Sequence, residues 1–375
     1  MLTYATLEDF ARISKITSAQ LTSNPTGKAN LLDYLRAATR VIETRTHRTF
    51  FPSFKVKLFS IPRDYIDLRS RVLFARDIEL NDDLLEAWRV QTGGYSTTDS
   101  EQDVPVGGIT SSATSFTVTS ASGFSAGTFL RIDNETMIVD AISGNTLYVL
   151  RGQAQTRAAA HTAGTAIYTL SVTSLTAGIN YNLLDFNITP HYGLRVNFPS
   201  TWAGSYGVVS VATSVPQIYV TGLWGYHNNY YEMGWIDTLD TVENASLSAS
   251  DTSITVNDAD GDDAQDMTRF EAGNLIRVDD ELMEVTTVTA GSVNTLTVLR
   301  GVRGSRATTH AQNTTIFRYH VPDDLVEITT TVAKTMKESD ESVDGRQGVG
   351  DTSAGAKITL PDDAAEWIAM HVRTI

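Results

Sequence analysis

The sequence contains no cysteine. This absence excludes disulfide frameworks, thiolate zinc sites and cysteine nucleophiles, so packing and hydrogen bonds alone must stabilise the fold. Long apolar runs are also missing: no stretch approaches the roughly 18 apolar residues that a membrane-spanning helix needs, and the opening residues lack the basic head and apolar run of a signal peptide. We therefore expect a globular protein that is synthesised and folded in a cytoplasm.

Positive charge is scarce as well. The chain has 29 Lys and Arg against 44 Asp and Glu, a net charge of −15, which opposes generic binding to nucleic acid. One segment, from Arg36 to Arg76, differs because it holds ten basic residues and three acidic ones. An ordinary basic face that balances acids elsewhere in the fold explains this segment. So does a docking surface for an acidic partner or a neighbouring subunit, and direct contact with phosphate is a third interpretation.

The chain contains an internal repeat, with copies at 115–169 and 253–319. The copies align AGTFLRIDNETMIV (126–139) with AGNLIRVDDELMEV (272–285), and NTLYVLRG with NTLTVLRG. Apolar and polar residues alternate in both copies and glycines separate the runs, which predicts short antiparallel strands. We predict a small antiparallel β-barrel or sandwich that is built twice. The second copy has eight more residues before its Ala-Gly, and we expect them in a loop.

Both ends of the chain have helical patterns. Apolar spacing predicts helices over 7–13 and 31–44, the first with a capping box at its start. Pro-Asp-Asp at 322–324 and at 361–363 predicts two further helix starts. The stretch 337–356 is rich in Gly, Ser and Asp and is predicted to be a loop.

The predicted fold class is α+β. We expect a small helical bundle formed by the N- and C-terminal helices, a β-rich central region and the two inserted, repeated β domains. The predicted core is discontinuous and comprises residues 1–102, 170–242 and 320–375. The first inserted module then occupies 103–169 and the second 243–319.

Motifs for catalysis or cofactor binding fail in detail. The lysine after Gly350 and Gly355 is displaced by one position from that of a phosphate loop. The acidic run from Asp258 to Asp263 is similar to a calcium loop but lacks its central glycine and closing glutamate. The histidines have no metal-binding spacing, and no GxSxG motif is present. We therefore predict no catalytic residue, no metal and no cofactor.

A set of polar residues is repeated in both copies. It consists of Glu135, Arg151, Arg157 and His161 in the first copy and of Glu281, Arg300, Arg306 and His310 in the second. Inside a strand-rich module such a set typically satisfies buried polar groups through Arg–carboxylate pairs and His–backbone bonds. We interpret the set as structural, and a ligand site or a catalytic site are the alternatives.

Several segments resemble the head-to-tail adaptor (connector) proteins of tailed bacteriophages. LLDYLRAATRVIETRTHRTFFP (31–52) resembles their opening helix and first strand, with Thr-His-Arg-Thr-Phe (46–50) at the end of the helix. IYVTGLWGY (218–226) is similar to one of their strands. VPDDLVEITTTVAKTMKESDES (321–342) and LPDDAAEWIAMHVR (360–373) resemble their closing helices. The repeat motifs Asp-x-Glu-x-Met-x-Val, Val-Leu-Arg-Gly and Arg-x-x-x-His resemble modules of phage structural proteins. Ordinary adaptors are little more than the helical core, so the two β modules depart from the family.

The resemblance implies a non-enzymatic virion protein at the neck, the head–tail interface. Family members form a ring, usually of twelve copies, beneath the portal, and genomic DNA passes through its lumen without specific binding. The implied partners are the portal protein, neighbouring copies, the next neck or tail-terminator protein, and capsid or fibres through the β modules, but no membrane. The residues we expect at the portal or subunit interface are Arg36, Arg40, Arg45, Arg48, Trp367 and Arg373. The loop 338–356 is a candidate for insertion into the portal.

Two other functions are kept open. The duplicated β modules are also compatible with a tail- or neck-associated protein that binds a glycan or a fibre partner, because two similar sites on one chain give avidity. A tail-associated hydrolase is the third hypothesis, although no catalytic set of residues can be named for it.

Overall fold

The structure is a computed structural model, and it describes residues 2–15, 25–60, 76–154, 156–184, 191–196, 217–227, 234–344 and 360–372. The chain divides into two compact units. The terminal unit consists of Met1–Pro52 and Tyr226–Ile375, and the central unit of Ser53–Gly225. This division groups the second repeat with the helices, and the first repeat with the strands before it. The predicted division differs, because it separates a discontinuous core from two inserted modules, and it stays a prediction.

The helices of the described residues all belong to the terminal unit. They are α1 (Leu7–Ser14), α2 (Pro25–Thr46), α3 (Asp323–Asp344) and α4 (Asp362–Met370). The capping box of α1 is present: the Thr6 hydroxyl accepts the N–H of Asp9, and the Asp9 carboxylate accepts the N–H of Thr6.

Helix α3 corrects one prediction, because residues 337–344 are helical and not a loop. This part has few large apolar residues, but it contains Lys and Glu, which favour helices, and the first glycine of the stretch is Gly345. Lys334 and Glu338, one helical turn apart, form an ion pair of 4.0 Å. The rest of the predicted loop lies outside the described residues.

Helix α2 packs against α3 and α4. Its buried face has helical spacing: Leu35, Ala38 and Ile42 are all fully buried. Leu325 and Val332 of α3 are likewise fully buried. Segments from both ends of the chain therefore share one hydrophobic core.

The central unit contains one 10-stranded antiparallel sheet. Its strands are β1 (Ser53–Ser60), β2 (Arg76–Asp103), β3 (Ser115–Thr117), β4 (Phe129–Ile132), β5 (Glu135–Ser143), β6 (Thr146–Gln153), β7 (Ala166–Leu175), β8 (Tyr181–Leu184), β9 (His191–Val196) and β10 (Gln217–Trp224). The strand order is β1-β10-β2-β7-β4-β5-β6-β3, and β9 pairs with both β2 and β8. The long strand β2 thus connects the first repeat to the strands around it.

The terminal unit contains a 6-stranded sheet and a 2-stranded sheet. The strands are β11 (Trp235–Thr241), β12 (Ser246–Leu247), β13 (Ser253–Val256), β14 (Leu275–Val278), β15 (Glu281–Thr289), β16 (Asn294–Leu299), β17 (His310–Ala311) and β18 (Thr315–Tyr319). The larger sheet has the order β11-β18-β14-β15-β16-β13, and β12 pairs with β17. The described chain is thus β-rich with helices, as expected for an α+β or β-rich fold.

The two repeats have the same strand order, β7-β4-β5-β6-β3 in one and β18-β14-β15-β16-β13 in the other. Their hydrophobic cores use matching residues, for example Met137 and Met283. The match also extends upstream of the sequence repeat, because Val104 in the first core corresponds to Val242 in the second. The repeated unit is therefore larger than the sequence alone indicated.

The largest length difference between the copies lies in one loop. The core residues Val118 and Phe124 are six positions apart, whereas the corresponding Val256 and Phe270 are fourteen positions apart. We call residues 257–271 of the second repeat the acidic loop. As predicted for the extra residues, this segment contains no strand.

Candidate functional site

The repeated polar residues form one buried cluster in each unit. The first polar cluster consists of Asp133, Glu135, Arg151 and His161. Its centre is Glu135, which is only 1% exposed. Arg151 binds this carboxylate with two parallel hydrogen bonds, from Nε to Oε1 and from Nη2 to Oε2, both of 2.8 Å. Such a two-bond pair combines charge with fixed geometry.

The backbone supplies further donors to Glu135. The N–H groups of Gly152 and Ala159 each donate to the carboxylate at 2.9 Å. Arg151 also uses Nη1 to donate to the carbonyl oxygens of Thr110 and Ala113, both at 2.8 Å. The guanidinium therefore ties the loop before β3 to the start of β5.

Local backbone geometry explains why glycine follows the arginine. Gly152 has a φ of +61°, and a Cβ at this position would lie 3.0 Å from the nitrogen of Ala158. In the second repeat Gly301 has a φ of +59°, and a Cβ there would lie 2.9 Å from the nitrogen of Ala307. A side chain at either position is therefore strained, which explains the glycine of the Val-Leu-Arg-Gly motif.

The histidine of the cluster lies between two carboxylates. His161 Nε2 is 2.9 Å from Glu135 Oε2, and Nδ1 is 2.8 Å from Asp133 Oδ2. The sequence analysis predicted that this histidine side chain bonds to the backbone. The structure differs, because each ring nitrogen has a carboxylate as its partner. Asp133 was not in the predicted set, although the Asp-x-Glu spacing in both copies was a signal that could have identified it.

The second polar cluster consists of Asp279, Glu281, Arg300 and His310, and it repeats this geometry. Arg300 donates from Nε at 2.7 Å and from Nη2 at 2.8 Å to Glu281. His310 lies 2.9 Å from Glu281 and 2.7 Å from Asp279. Arg300 Nη1 donates to the carbonyl oxygens of Ser248 and Asp251, at 2.8 and 2.7 Å.

Corresponding bonds are made by different residues in the two clusters. The N–H of Thr308 donates to Glu281 where Ala159 donates to Glu135, both at 2.9 Å. Because only backbone atoms are used at these positions, their side chains are free to differ between the copies.

The two predicted sets also contained Arg157 and Arg306, but the guanidinium groups that pair with the glutamates are those of Arg151 and Arg300. The residues before Arg157 and Arg306 accept hydrogen bonds from the backbone at the start of β5 and of β15. The Thr156 hydroxyl accepts the N–H of Thr136 at 3.0 Å, and the Ser305 hydroxyl accepts the N–H of Leu282 at 2.9 Å.

The electrostatics of the clusters favour fixed charges. Burial raises the pKa of Glu135, but hydrogen bonds from Arg151, the Ala159 backbone and His161 outweigh it and lower that pKa to about 2. The same balance of burial against Arg300 and His310 lowers the pKa of Glu281 to about 2. For His310, burial lowers the pKa, and the bonds to Glu281 and Asp279 outweigh it and raise the pKa. An anion whose oxygens are already bonded is suited to holding the fold together.

The basic residues predicted at an interface lie on or just after α2. Arg40 and Arg45 are exposed, whereas Arg36 and Arg48 are half-buried. Arg36 also pairs with Asp33 at 3.1 Å. Arg40 and Arg45 are therefore the members of the set with the most accessible side chains.

Trp367, which was also predicted at the interface, is buried within this chain. It is only 7% exposed, and its Nε1–H donates to Asp324 at 2.9 Å. Its ring stacks on His371 with a centroid distance of 3.8 Å. Trp367 thus fastens α4 to the start of α3 and offers little surface to a partner. Arg373, the remaining residue of the predicted set, lies outside the described residues.

The Thr-His-Arg-Thr-Phe stretch ends in an aromatic cluster. The Phe50 ring contacts those of Tyr4, Tyr226 and Trp367, with centroid distances of 5.6, 5.5 and 5.6 Å. The Tyr4 hydroxyl accepts the Phe50 N–H at 2.9 Å and donates to Glu43 at 2.6 Å. Phe50 is therefore an anchor between segments that are far apart in the sequence.

The calcium-like run is held by arginines. Arg269 Nη1 lies 3.3 Å from a carboxylate oxygen of Asp240 and 3.4 Å from one of Asp258. Arg318 binds Asp263. In the part of the chain that the structure describes, no group of three or more His, Asp or Glu residues is arranged to hold a metal ion. The phosphate-loop-like segment 350–357 lies outside the described residues.

None of the helices in the described ranges is long and apolar enough to cross a membrane. No protein-family model matches the chain. No curated protein matches it either.

Proposed function

We propose that this chain is a structural subunit of a head-to-tail adaptor ring in a tailed bacteriophage. The ring docks beneath the portal and joins the DNA-filled capsid to the tail. The observation that carries the proposal is the packing of the segments that resemble the family. The resemblance rests on their order along the sequence, and their contact in the folded chain is an independent observation.

These contacts are specific. Helix α2 packs against α3 and α4, although about 280 residues separate α2 from α3. Phe50, at the end of the opening segment, contacts Trp367 of the closing segment with a centroid distance of 5.6 Å. A core made of opening and closing helices requires such packing.

The surface charges support the same function. Arg40 and Arg45 are exposed on α2 of a chain with a net charge of −15. In the proposed ring these arginines bind the portal protein or a neighbouring copy, since local positive charge attracts an acidic surface. The acidic remainder repels the DNA duplex, so that DNA passes through the lumen without adhering.

We further propose that each repeat is an inserted module that folds as a small β-barrel or sandwich. The backbone N–H of Glu243, just after β11, donates to the carbonyl of Thr255 in β13 at 2.8 Å. β11 and β13 are the two outer strands of the 6-stranded sheet. A bond between the outer strands supports closure of this module around its own core. The modules present surfaces to the next neck protein, to capsid or to fibres.

The experiment that tests the proposed function is cryo-EM of the neck of purified virions with symmetry relaxed. We expect a ring of this chain between portal and tail, with α2 facing the portal or the adjacent subunit. Density of this chain at the tail tip or on fibres would overturn the proposal.

Glycan binding is the second candidate function, because Trp88 and Tyr168 of the central unit are 41% and 37% exposed. The duplication keeps only some aromatic rings of the first repeat: Phe317 stands where the first repeat has Tyr168, whereas Thr297 stands where it has Tyr148. A glycan array without any signal for the full chain would remove this candidate.

A further inference from the structure

The terminal unit contains a cavity of about 410 Å³ that is lined by α1, the acidic loop and the residues between β18 and α3. Carboxylates line it from each of these elements. The acidic side chains are Glu8 and Asp9 of α1, Asp262, Asp266 and Glu271 of the acidic loop, and Asp323 at the start of α3. The other ionisable side chains that line it are Arg12, Arg318, His320, Tyr4 and Tyr319.

Glu271 lies where the acidic loop meets the start of α1. Its half-buried carboxyl group lines the cavity together with the side chain of Thr6, the N-cap residue of α1. The Thr6 hydroxyl donates to Asp9 Oδ2 at 2.9 Å. A hydroxyl has a single proton, so Glu271 can accept it only in competition with Asp9.

The cations that line the cavity are engaged by other carboxylates. Arg12 donates to Asp9 at 2.9 Å. Arg318 binds Asp263, on the acidic loop. Among the described residues no arginine forms an ion pair with Glu271, whereas Glu281 of the same unit pairs with Arg300.

We propose that Glu271 is a proton-controlled latch for the N-terminal segment, residues 2–15. Neutral Glu271 allows α1 to remain docked beside the acidic loop. Ionised Glu271 repels Glu8 and Asp9 across the cavity and loosens α1. This proposal does not depend on the adaptor function.

The titration of Glu271 gives the pH range. Burial, followed by repulsion from Asp9 and Glu8, raises its pKa from 4.5 to about 7, against the lowering effects of Thr6 and Arg318. The docked state therefore binds more protons than the undocked state between these two values. Docking is strongest at low pH, and it weakens as the pH rises from about 4.5 to about 7.

The latch acts on a segment that is weak in isolation. Helix α1 has eight residues, too few to be stable in water without tertiary contacts. Its buried anchor is Phe10, which is 1% exposed. A change of one charge at the N-cap is therefore expected to alter the docking of the whole segment.

Hydrogen exchange of the full chain, read by mass spectrometry on peptides from residues 2–15, tests the latch. Protection factors are corrected for intrinsic exchange at pH 5.5 and pH 8. In the wild type we expect protection of α1 to fall on the order of tenfold between these pH values. In Glu271→Gln, which keeps the neutral form, we expect high protection at both. A wild type without this fall, or a Gln variant that retains it, would overturn the proposal.

Three further variants serve as controls. Glu327→Gln neutralises an exposed carboxylate on α3 and is expected to keep the wild-type fall. His320→Asn removes the histidine that lines the cavity and is also expected to keep the fall. Loss of the pH dependence in His320→Asn would assign the effect to histidine and refute the latch. If Glu271→Gln does not fold, Glu8→Gln removes one repelling charge at an exposed position and is expected to reduce the fall, so an unreduced fall counts against the latch.

Discussion

The two repeats share their buried interior and differ in what surrounds it. Their cores match residue by residue, and both polar clusters have the same hydrogen bonds. The first repeat continues through β2 into a larger sheet, whereas the second has the acidic loop and lies in one unit with the helices. Features that persist in such different surroundings serve the module itself. The features that differ, such as the acidic loop, are the ones that can give each module a separate role.

The largest expected effect comes from breaking one cluster at a time. Glu135→Ala and Glu281→Ala each leave a buried arginine without its carboxylate, so each is expected to lower the free energy of unfolding by about 3–5 kcal/mol. Thermal and urea unfolding measure the loss. Equal losses are expected if the clusters are equivalent, and the exposed Arg157→Ala serves as a control with little change. A large loss in only one repeat would contradict the equivalence.

Acid should weaken both repeats in the same pH range. The pKa values of Glu135 and Glu281 are lowered from 4.5 to about 2. Each carboxylate therefore contributes stability above about pH 4.5 that is lost as the pH falls towards 2, on the order of 3 kcal/mol per group. Urea unfolding between pH 2 and pH 6 measures the slope. The slope should be shallower in Glu135→Gln and Glu281→Gln, and unchanged slopes would refute this assignment.

Adding a methyl group at the glycine after the arginine sharpens the comparison further. Gly152→Ala and Gly301→Ala place a Cβ against backbone at positive φ, and each is expected to cost about 1–3 kcal/mol. Gly144→Ala is a matched control in the first repeat, since its φ is also positive but a Cβ there meets nothing within 4 Å. The control should be less destabilising than Gly152→Ala. Thermal unfolding of the three variants measures the loss of stability in each, and an equal loss in Gly144→Ala and Gly152→Ala would contradict the prediction.

The smallest effect on stability is expected from the exposed arginines of α2. Arg40→Glu combined with Arg45→Glu should change the free energy of unfolding by less than about 1 kcal/mol, because both positions are exposed. Under the proposed function the same variant should lose portal binding or ring formation, which native mass spectrometry and pull-down with portal protein measure. Arg157→Glu, a reversal on the first repeat, should retain both. Normal assembly of the double variant would remove the interface role of α2.

Structural features that depend on sequence periodicity or on local residue spacing were predictable. The capping box at Thr6, the strands of both repeats and the proximity of Glu135 to Arg151 follow from such patterns. Asp133 was missed because its role depends on a turn at a φ of +52° that brings it to the histidine. The burial of Trp367 was not predictable because it is set by tertiary packing, and residues 337–344 were misassigned because a polar helix lacks apolar periodicity.

Arg151 and Arg300 each donate hydrogen bonds to backbone carbonyls of a distant loop, and we call these bonds the arginine clamps. They are also expected to affect the rate of unfolding. Arg151 bonds to a carbonyl 41 positions away, and Arg300 to one 52 positions away. Contacts of such sequence separation carry a loop-closure cost before they contribute, so we expect them to form after the main folding barrier. Interactions that form late chiefly slow unfolding. The clamps would then lengthen the lifetime of each folded repeat. Under the proposed function, that lifetime matters more than equilibrium stability, because a virion persists outside a cell.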